Sequence, residues 1–271
     1  MQPTNQHIYN RHTWPEMNDA IGAEKVVILP TGSTEDHGYR LPLDVDLFLT
    51  ESICQAAGAR APERILVLPT IPYGFNLHHF DFPGTIHIQP DHFINYCLDV
   101  TKSLAYHNFR KICIINGHGS NGPLIDIIAR RTVLETNSIC VATGYFGLIR
   151  DTMRQALDPD VHAHAEEAET SLYLHLAPER VQMEKAVSGY APGNRFFTSD
   201  STRLVRFNDW WGRWTATGVH GDATKATAEK GKLLFDAAVE AIVELTDELR
   251  TWTIEERRDQ HTHPVQRQIQ W

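Results

Sequence analysis

The chain has no long block of basic residues and no apolar run that could cross a membrane. Its formal net charge is −9, which argues against nucleic acid or an anionic membrane as the main partner. The longest apolar runs are about five residues, whereas a spanning helix needs about 20. The N-terminus has no basic segment followed by an apolar one, so no signal peptide is visible and we expect a cytoplasmic protein.

Cysteine is scarce, and none of the cysteines belongs to a CxxC pair. Each of the four lies among apolar residues: Cys54, Cys97, Cys113 and Cys140. We therefore expect buried, reduced thiols. Histidine, by contrast, is abundant, with 15 residues in a chain of 271.

Short apolar segments alternate with segments of helical spacing along the chain. The predicted strands are 24–29, 64–69, 111–116 and 138–145, and the segments between them with helical periodicity are 46–59, 91–107 and 123–135. This alternation predicts an α/β fold with a mostly parallel central sheet flanked by helices on both faces. We expect one domain over residues 1–271, with functional loops at the carboxyl ends of the strands.

Residues 185–218 break the alternation, because they combine Gly, Ser and Thr with arginines and large aromatics. A loop this long is usually functional, and we predict either a substrate lid or a subunit contact. A long helix is predicted after Asp222, which can serve as its N-cap. The apolar stripe of that helix is Leu234, Ala238, Ile242, Leu245 and Leu249.

Four carboxylates and an imidazole follow the first predicted strand, in the segment TGSTEDHGYRLPLDVD. Desolvated carboxylates are costly unless a cation lies beside them, and Arg40 is the one basic residue of the segment. Either these groups face water, or Glu35, His37 and Asp46 hold a metal. Asp46 has a second interpretation as the N-cap of the helix that follows.

The segment INGHGSNGP joins a strand to a helix through a glycine-rich loop. Such a loop can be a plain tight turn or an anion cradle at the helix N-terminus, although the phosphate-binding and dinucleotide-binding motifs are not matched. His118 lies in the middle of the loop, where its imidazole can project into a cleft. A ligand role for His118 and a plain turn both remain open.

The segment HAHAEEAETSLYLHLAP predicts a helix that starts near Ala165 and ends before Pro178. Glu166 and Glu167 suit the positive end of its dipole. Glu169 shares an otherwise apolar face, so it must be protonated, ion-paired or bound to a metal. We place His164 on the loop just before the helix, pointing into the same cleft. Together these segments supply oxygen and nitrogen ligands that suit Zn, Mn, Fe or Co.

Five blocks in order resemble the motifs of the creatininase family of metal-dependent amidohydrolases. The blocks are LPTGSTEDHGYRLPLDVD, HFDFPGTI, NGHGSN, HAEEAETSL and TGVHGDATKATAEKG. The match covers nearly the whole chain. The resemblance implies a creatininase-like α/β fold, a dinuclear metal centre of Zn, Mn or Fe, a small-molecule substrate and a homohexamer.

The resemblance also implies residue roles. Glu35, Asp46 and His118 would bind one ion, and His37, Asp46 and Glu169 would bind the second, with Asp46 as the bridge. His164 matches a histidine beside the substrate and is our candidate proton donor, with Glu166 as the alternative. The predicted substrate-binding residues are His79, Gly119, Ser120, Asn121, Asp160 and Trp210.

Four departures from the family pattern bear on the substrate. Ser120 and Asp160 stand where creatininase has an acidic residue and a Trp, Glu166 replaces a Gly, and Asp36 replaces a common Gln. We therefore expect hydrolysis of a small cyclic amide, formamide or related C–N bond by a metal-activated water, with a substrate other than creatinine. The alternatives are hydrolytic C–C opening of a cyclic polyol ketone, and a metal-binding oligomer without turnover.

Overall fold

The computed structural model describes residues 6–158, 164–190 and 208–263. Its central sheet has four parallel strands in the order β2-β1-β3-β4. They are β1 (Val26–Thr31), β2 (Ile65–Val67), β3 (Lys111–Asn116) and β4 (Ile139–Gly144). A two-stranded antiparallel ribbon pairs β5 (Ser188–Gly189) with β6 (Gly221–Asp222).

The helices of the described residues are α1 (Trp14–Gly22), α2 (Val45–Arg60), α3 (Pro90–Tyr106), α4 (Gly122–Glu135), α5 (Tyr145–Leu148), α6 (Arg150–Ala156), α7 (Glu167–Leu176) and α8 (Ala228–Thr251). Of these helices, α2, α3, α4, α7 and α8 correspond to helices that the sequence predicts, whereas α1, α5 and α6 are not predicted. None of them is both long and apolar enough to cross a membrane.

Alternate residues of the two central strands enter different cores. Ile28 and Cys113 pack with α2, α7 and α8 on one face of the sheet. Leu29 and Ile114 pack with α3 and α4 on the other. Both strands are therefore buried on both faces, which explains their nearly continuous apolar sequence. The predicted single-domain α/β fold with helices on both faces is confirmed.

The cysteines and the C-terminal stripe lie where the sequence places them. Cys54, Cys97 and Cys113 are buried, Cys140 is half-buried, and all four are unpaired. The predicted stripe of α8 faces the core, with Leu245 only partly buried.

The predicted N-cap of the C-terminal helix is wrong. Asp222 accepts a hydrogen bond from Thr224 N and caps the short 3-10 turn Ala223–Lys225. The chain is extended at Thr227, whose side chain accepts from Lys230 N and begins α8. An Asp followed by small residues can cap either a turn or a helix. Here the turn Ala223–Lys225 is nearer, and the Asp222 side chain bonds to it.

Candidate metal centre

The site lies at the carboxyl edge of the sheet, where β1 and β3 end side by side. Thr31 and Asn116 are register partners there, and Gly117 N donates to Thr31 O at 2.9 Å. A Cβ on Gly117 would overlap Thr50 Oγ1 and lie 2.7 Å from Asp46 O. Glycine therefore lets the loop after β3 approach the first turn of α2, which brings His118 beside Asp46.

The first ligand group is Glu35, Asp46 and His118. His118 Nδ1 lies 3.2 Å from Glu35 Oε2 and 3.0 Å from Asp46 Oδ2. All three residues are buried, and these donor atoms lie within 4.8 Å of one another. The structure thus brings together the residues predicted for one ion. Asp46 lies in the first turn of α2, after the N-cap position at Asp44, so the interpretation of Asp46 as N-cap is wrong.

The second group lies on the opposite side of the same Asp46 carboxylate. His37 Nε2 is 3.3 Å from Asp46 Oδ1 and 3.7 Å from Glu169 Oε2. Since Oδ1 faces His37 and Oδ2 faces His118, the carboxylate has the orientation that a bridging ligand requires. His164 also offers a nitrogen within 4.8 Å of His37 and Glu169.

The imidazoles of His37 and His118 each have a front nitrogen, which faces the carboxylates, and a back nitrogen, which contacts a backbone oxygen. His37 Nδ1 lies 3.3 Å from Glu35 O, and His118 Nε2 lies 3.1 Å from Phe75 O. A carbonyl oxygen only accepts, so each back nitrogen carries the hydrogen and each front nitrogen of the neutral ring has a lone pair. Those lone pairs face carboxylate oxygens, and His37 Nε2 and Asp46 Oδ2 are buried without a hydrogen-bond partner. The arrangement requires a cation, and histidine ligands backed by carbonyls are typical of metal sites.

In the absence of a metal ion, bound protons supply positive charge to the buried carboxylates of the site. Burial raises the pKa of Glu169 to about 8, and Asp46 and Glu166 add to the increase against the opposing effect of His37. Burial disfavours the charged form of His37, but Asp46 and Glu169 outweigh it and raise its pKa to about 10. Without a metal, the site therefore holds protons that a divalent ion would displace.

His164 and His79 form the outer wall of the site. His164 Nε2 lies 2.8 Å from Asp36 O, and His79 Nδ1 lies 2.8 Å from Asp36 Oδ1. Burial lowers the pKa of His164 well below its usual value, helped by the nearby His37 and His79. His164 lies on the loop before α7, as predicted, in an isolated bridge with His220.

The loop before α7 holds an unusual backbone conformation. Ala165 has a φ of 51°, in the left-handed region, so the helix begins at Glu167, two residues after Ala165. The fully buried Arg40 guanidinium donates to Ala165 O and to Thr170 Oγ1, and Ala165 N donates to Glu169 Oε2 at 2.6 Å. These bonds fix the loop that carries His164.

Glu166 is the N-cap of α7. Its carboxylate accepts from Ala168 N at 2.9 Å and from Glu169 N at 3.4 Å. Both oxygens are thus bonded to backbone amides, which favours a structural role over proton donation. Its predicted role as alternative proton donor stays a prediction.

The predicted substrate-binding residues differ in their surroundings. Asn121 is buried and joins three loops through Gly32 O, Asn116 Oδ1 and Phe75 N. Gly119 is exposed, and Ser120 Oγ lies 2.8 Å from His78 Nε2. Asp160 lies outside the described residues, as do residues 191–207 of the predicted lid or contact segment.

Trp211, and not the predicted Trp210, packs on the histidines of the site. Its ring lies 5.0 Å from His79 and 5.2 Å from His164 between centroids, whereas Trp210 is 39% exposed and contacts neither ring. Nothing in two adjacent tryptophans of an irregular segment indicates which one turns inward. The Asp36–His79 contact is equally invisible in the sequence, because the two residues are 43 positions apart.

Comparisons with known proteins show which family has this sequence pattern. Residues 10–246 match the family model described as "Creatininase: Creatinine amidohydrolase". The chain is 28% identical over 256 residues to the 3-dehydro-scyllo-inosose hydrolase of Thermotoga maritima, covering 88% of this chain and 80% of the relative. It is 31% identical over 230 residues to the mycofactocin precursor peptide peptidase of Mycobacterium tuberculosis, covering 80% and 82%.

Solved structures share the fold over their whole length. A structure named "Creatininase Mn" aligns with a TM-score of 0.76 and 25% identity, covering 89% of this chain and 98% of that one. A mutant creatininase of "Zn-Zn type" aligns with a TM-score of 0.75 and 25% identity, covering 89% and 97%. Sequence, fold and site geometry agree: the chain belongs to the creatininase family of metal-dependent amidohydrolases.

Proposed function

We propose that the chain is a hydrolase that holds two divalent ions, with Zn, Mn or Fe as the candidates. Glu35, Asp46 and His118 would hold one ion, and His37, Asp46 and Glu169 the other. The observation that carries the proposal is the buried Asp46 carboxylate, whose two oxygens face two imidazole lone pairs. Related structures whose names include Mn and Zn-Zn support these candidate metals.

Bound ions of this kind lower the pKa of water and polarise a carbonyl, which is the chemistry of hydrolysis. The chain's own contribution is proton transfer by His164. With Nε2 directed at Asp36 O, its Nδ1 is free to accept a proton and then to donate it to the leaving group. A group that acts in this way typically contributes about 10²–10⁴-fold to the rate.

We infer that the scissile bond is a C–N bond of a small cyclic amide or formamide, in a substrate other than creatinine. The family description as amidohydrolases supports the bond type. Ser120, paired with His78 where creatininase has an acidic residue, supports a different pocket.

Hydrolytic C–C opening of a cyclic polyol ketone is the second candidate. It is favoured by the relative named 3-dehydro-scyllo-inosose hydrolase and by the hydroxyl and imidazole that the Ser120–His78 pair offers to substrate hydroxyls. A metal-binding oligomer without turnover is the alternative of another class.

A turnover assay with metal-reconstituted protein tests these proposals. We expect Zn- or Mn-loaded protein to hydrolyse members of a panel of cyclic amides and formamides, and His164→Ala to lose that activity while it retains its metals. Turnover confined to cyclic polyol ketones would favour C–C opening. A protein that binds metal but turns over neither panel would support the non-catalytic alternative.

We also propose a homohexamer located in the cytoplasm, on family resemblance. Sedimentation at micromolar concentration tests the oligomer, because a species at the chain mass of 30.8 kDa would contradict it.

A further inference from the structure

The outer wall of the site contains a third group of donor atoms that the two proposed ions do not use. It consists of Glu35 Oε1, His79 Nε2 and His164 Nδ1, which lie within 4.8 Å of one another. His79 Nε2 is 3.8 Å and His164 Nδ1 is 3.7 Å from Glu35 Oε1. All three side chains are at least nine-tenths buried.

The ring N–H groups of His79 and His164 point away from the centre of this group. His79 donates through Nδ1 to Asp36 Oδ1, and His164 donates through Nε2 to Asp36 O, both at 2.8 Å. The neutral rings therefore present lone pairs to Glu35 Oε1, and neither ring can donate to that oxygen. This is the back-bonding that the ligands His37 and His118 also show, and such outer partners orient metal-binding histidines.

The spacing suits a small cation. Ligand bonds of about 2.1 Å in tetrahedral geometry place neighbouring donor atoms about 3.4 Å apart, which the observed 3.7 and 3.8 Å reach with a small movement. Two imidazoles and one carboxylate favour Zn²⁺ over Mg²⁺, which prefers oxygen ligands. Trp211 packs against the rings of His79 and His164 and restricts their rotation.

We propose that Glu35, His79 and His164 form a third, inhibitory zinc site in which Glu35 bridges to the first ion. Oε2 of Glu35 faces His118, and Oε1 faces the third group. An ion on His164 Nδ1 occupies the lone pair that has to accept a proton, so excess zinc lowers turnover. This inhibitory role rests on the proposed function of His164.

The third ion binds more weakly than the other two. Two divalent ions and the Arg40 guanidinium together balance the buried carboxylates of the site, so a third ion adds charge without a counterpart. Those carboxylates are Glu35, Asp36, Asp46, Glu166 and Glu169. The site therefore fills only when zinc exceeds the amount that saturates the first two positions.

Equilibrium dialysis of the full chain against a series of zinc concentrations tests the site. We expect two ions per wild-type chain at low zinc and three at high zinc, with turnover falling as the third binds. His79→Ala should stop at two ions. The matched control His78→Ala removes a neighbouring imidazole that bonds Ser120 instead, and it should still bind three.

A second variant keeps the test valid if His79→Ala folds poorly. Asp36→Asn retains the side-chain shape behind His79 and should weaken the third ion by about 10–100-fold, with the inhibitory zinc concentration raised to match. In crystals of the wild type soaked in excess zinc, an anomalous peak between Glu35 and His79 is the expected result.

The outcomes separate this inference from the proposed function. Two ions at every zinc concentration, or the same third ion in His79→Ala, would overturn the third site and leave the dinuclear centre intact. Loss of an ion at low zinc in His164→Ala would assign His164 to the second ion and also overturn the third site. Fewer than two ions in the wild type would contradict the proposed function itself.

Discussion

Charged residues cluster at both the amino and the carboxyl edge of the sheet. Among the described residues, it is those at the carboxyl edge that require an additional cation. At the amino edge, cations bond carbonyls that lie just beyond helix C-termini: after α2, Lys25 Nζ donates to Pro62 O at 2.7 Å, and after α4, Arg110 Nε donates to Asn137 O at 2.9 Å. Lys111 Nζ donates to Arg250 O in the last turn of α8. At the carboxyl edge, Glu35, Asp46 and Glu169 face imidazole lone pairs.

This comparison distinguishes charged groups that stabilise the fold from charged groups that can bind an external ion. The cations of the amino edge bond the chain's own carbonyls and complement the helix dipoles, so they stabilise the fold without an external partner. With neutral imidazoles, the donor atoms of the carboxyl edge cannot satisfy one another, because lone pairs face lone pairs, so protons or metal ions have to lie between them. A buried cluster of ionisable groups that the chain's own residues do not neutralise indicates a functional site.

The largest effect is expected at the residue shared by both proposed ions. Asp46→Ala should lose both ions and all measurable turnover, whereas His118→Ala should lose one ion preferentially. Elemental analysis of the purified variants measures this difference. Equal loss in the two variants would show that Asp46 does not bridge.

Glu169→Gln should weaken the second ion and abolish activity, yet leave the apo fold at least as stable as the apo wild type. The buried carboxylate is costly without a cation, and the amide keeps its shape without the charge. Thermal unfolding in the presence of a chelator measures the effect. An apo variant that is clearly less stable than the apo wild type would contradict this account.

The pH dependence of apo stability follows from the same residue. The folded pKa of Glu169, about 8, lies above the ordinary value of 4.5. The stabilisation is therefore complete below about pH 4.5 and is lost as the pH rises through about 8. The raised pKa of His37, about 10, has the same sign.

Metal-loaded protein should respond to pH in the opposite direction over this range, because ligands bind metal only after losing their protons. Unfolding temperatures of apo and loaded protein between about pH 5 and 9 test the contrast. Parallel slopes would show that protons and metal do not compete at this site.

His164→Ala should keep the two tightly bound ions and lower the turnover number by about 10²–10⁴-fold, because a proton donor acts mainly in the transition state. Steady-state kinetics at matched metal content measures the loss. Turnover within a few-fold of the wild type would transfer the role to Glu166 or to water.

The smallest effect is expected at the amino edge. Lys111→Met removes one charged hydrogen bond to Arg250 O and should cost about 1–3 kcal/mol of stability. Metal content and turnover should not change. If this variant lost metal, the separation between the two edges would fail.

The sequence predicts the elements that depend on local pattern. Four parallel strands place the loops after Val26–Thr31 and Lys111–Asn116 at one edge, so the convergence of Glu35, Asp46 and His118 follows from strand order. Glu169 is identified by its position on an apolar face, which a helical period reveals.

The remaining features depend on contacts between distant segments. Asp36 reaches His79 across 43 positions, and Arg40 reaches Ala165 across 125. The left-handed Ala165 is held by that contact and by Glu169, and no sequence signal marks a non-glycine residue for this conformation. The inward turn of Trp211 is likewise decided by the rings that it covers.

The metal content of the purified protein tests the central claim most directly. Elemental analysis of wild-type protein prepared without chelator, then exposed to Zn or Mn and dialysed against low metal, should show close to two ions per chain. A ratio near zero after this treatment would contradict the claim that the carboxyl edge is a dinuclear metal centre.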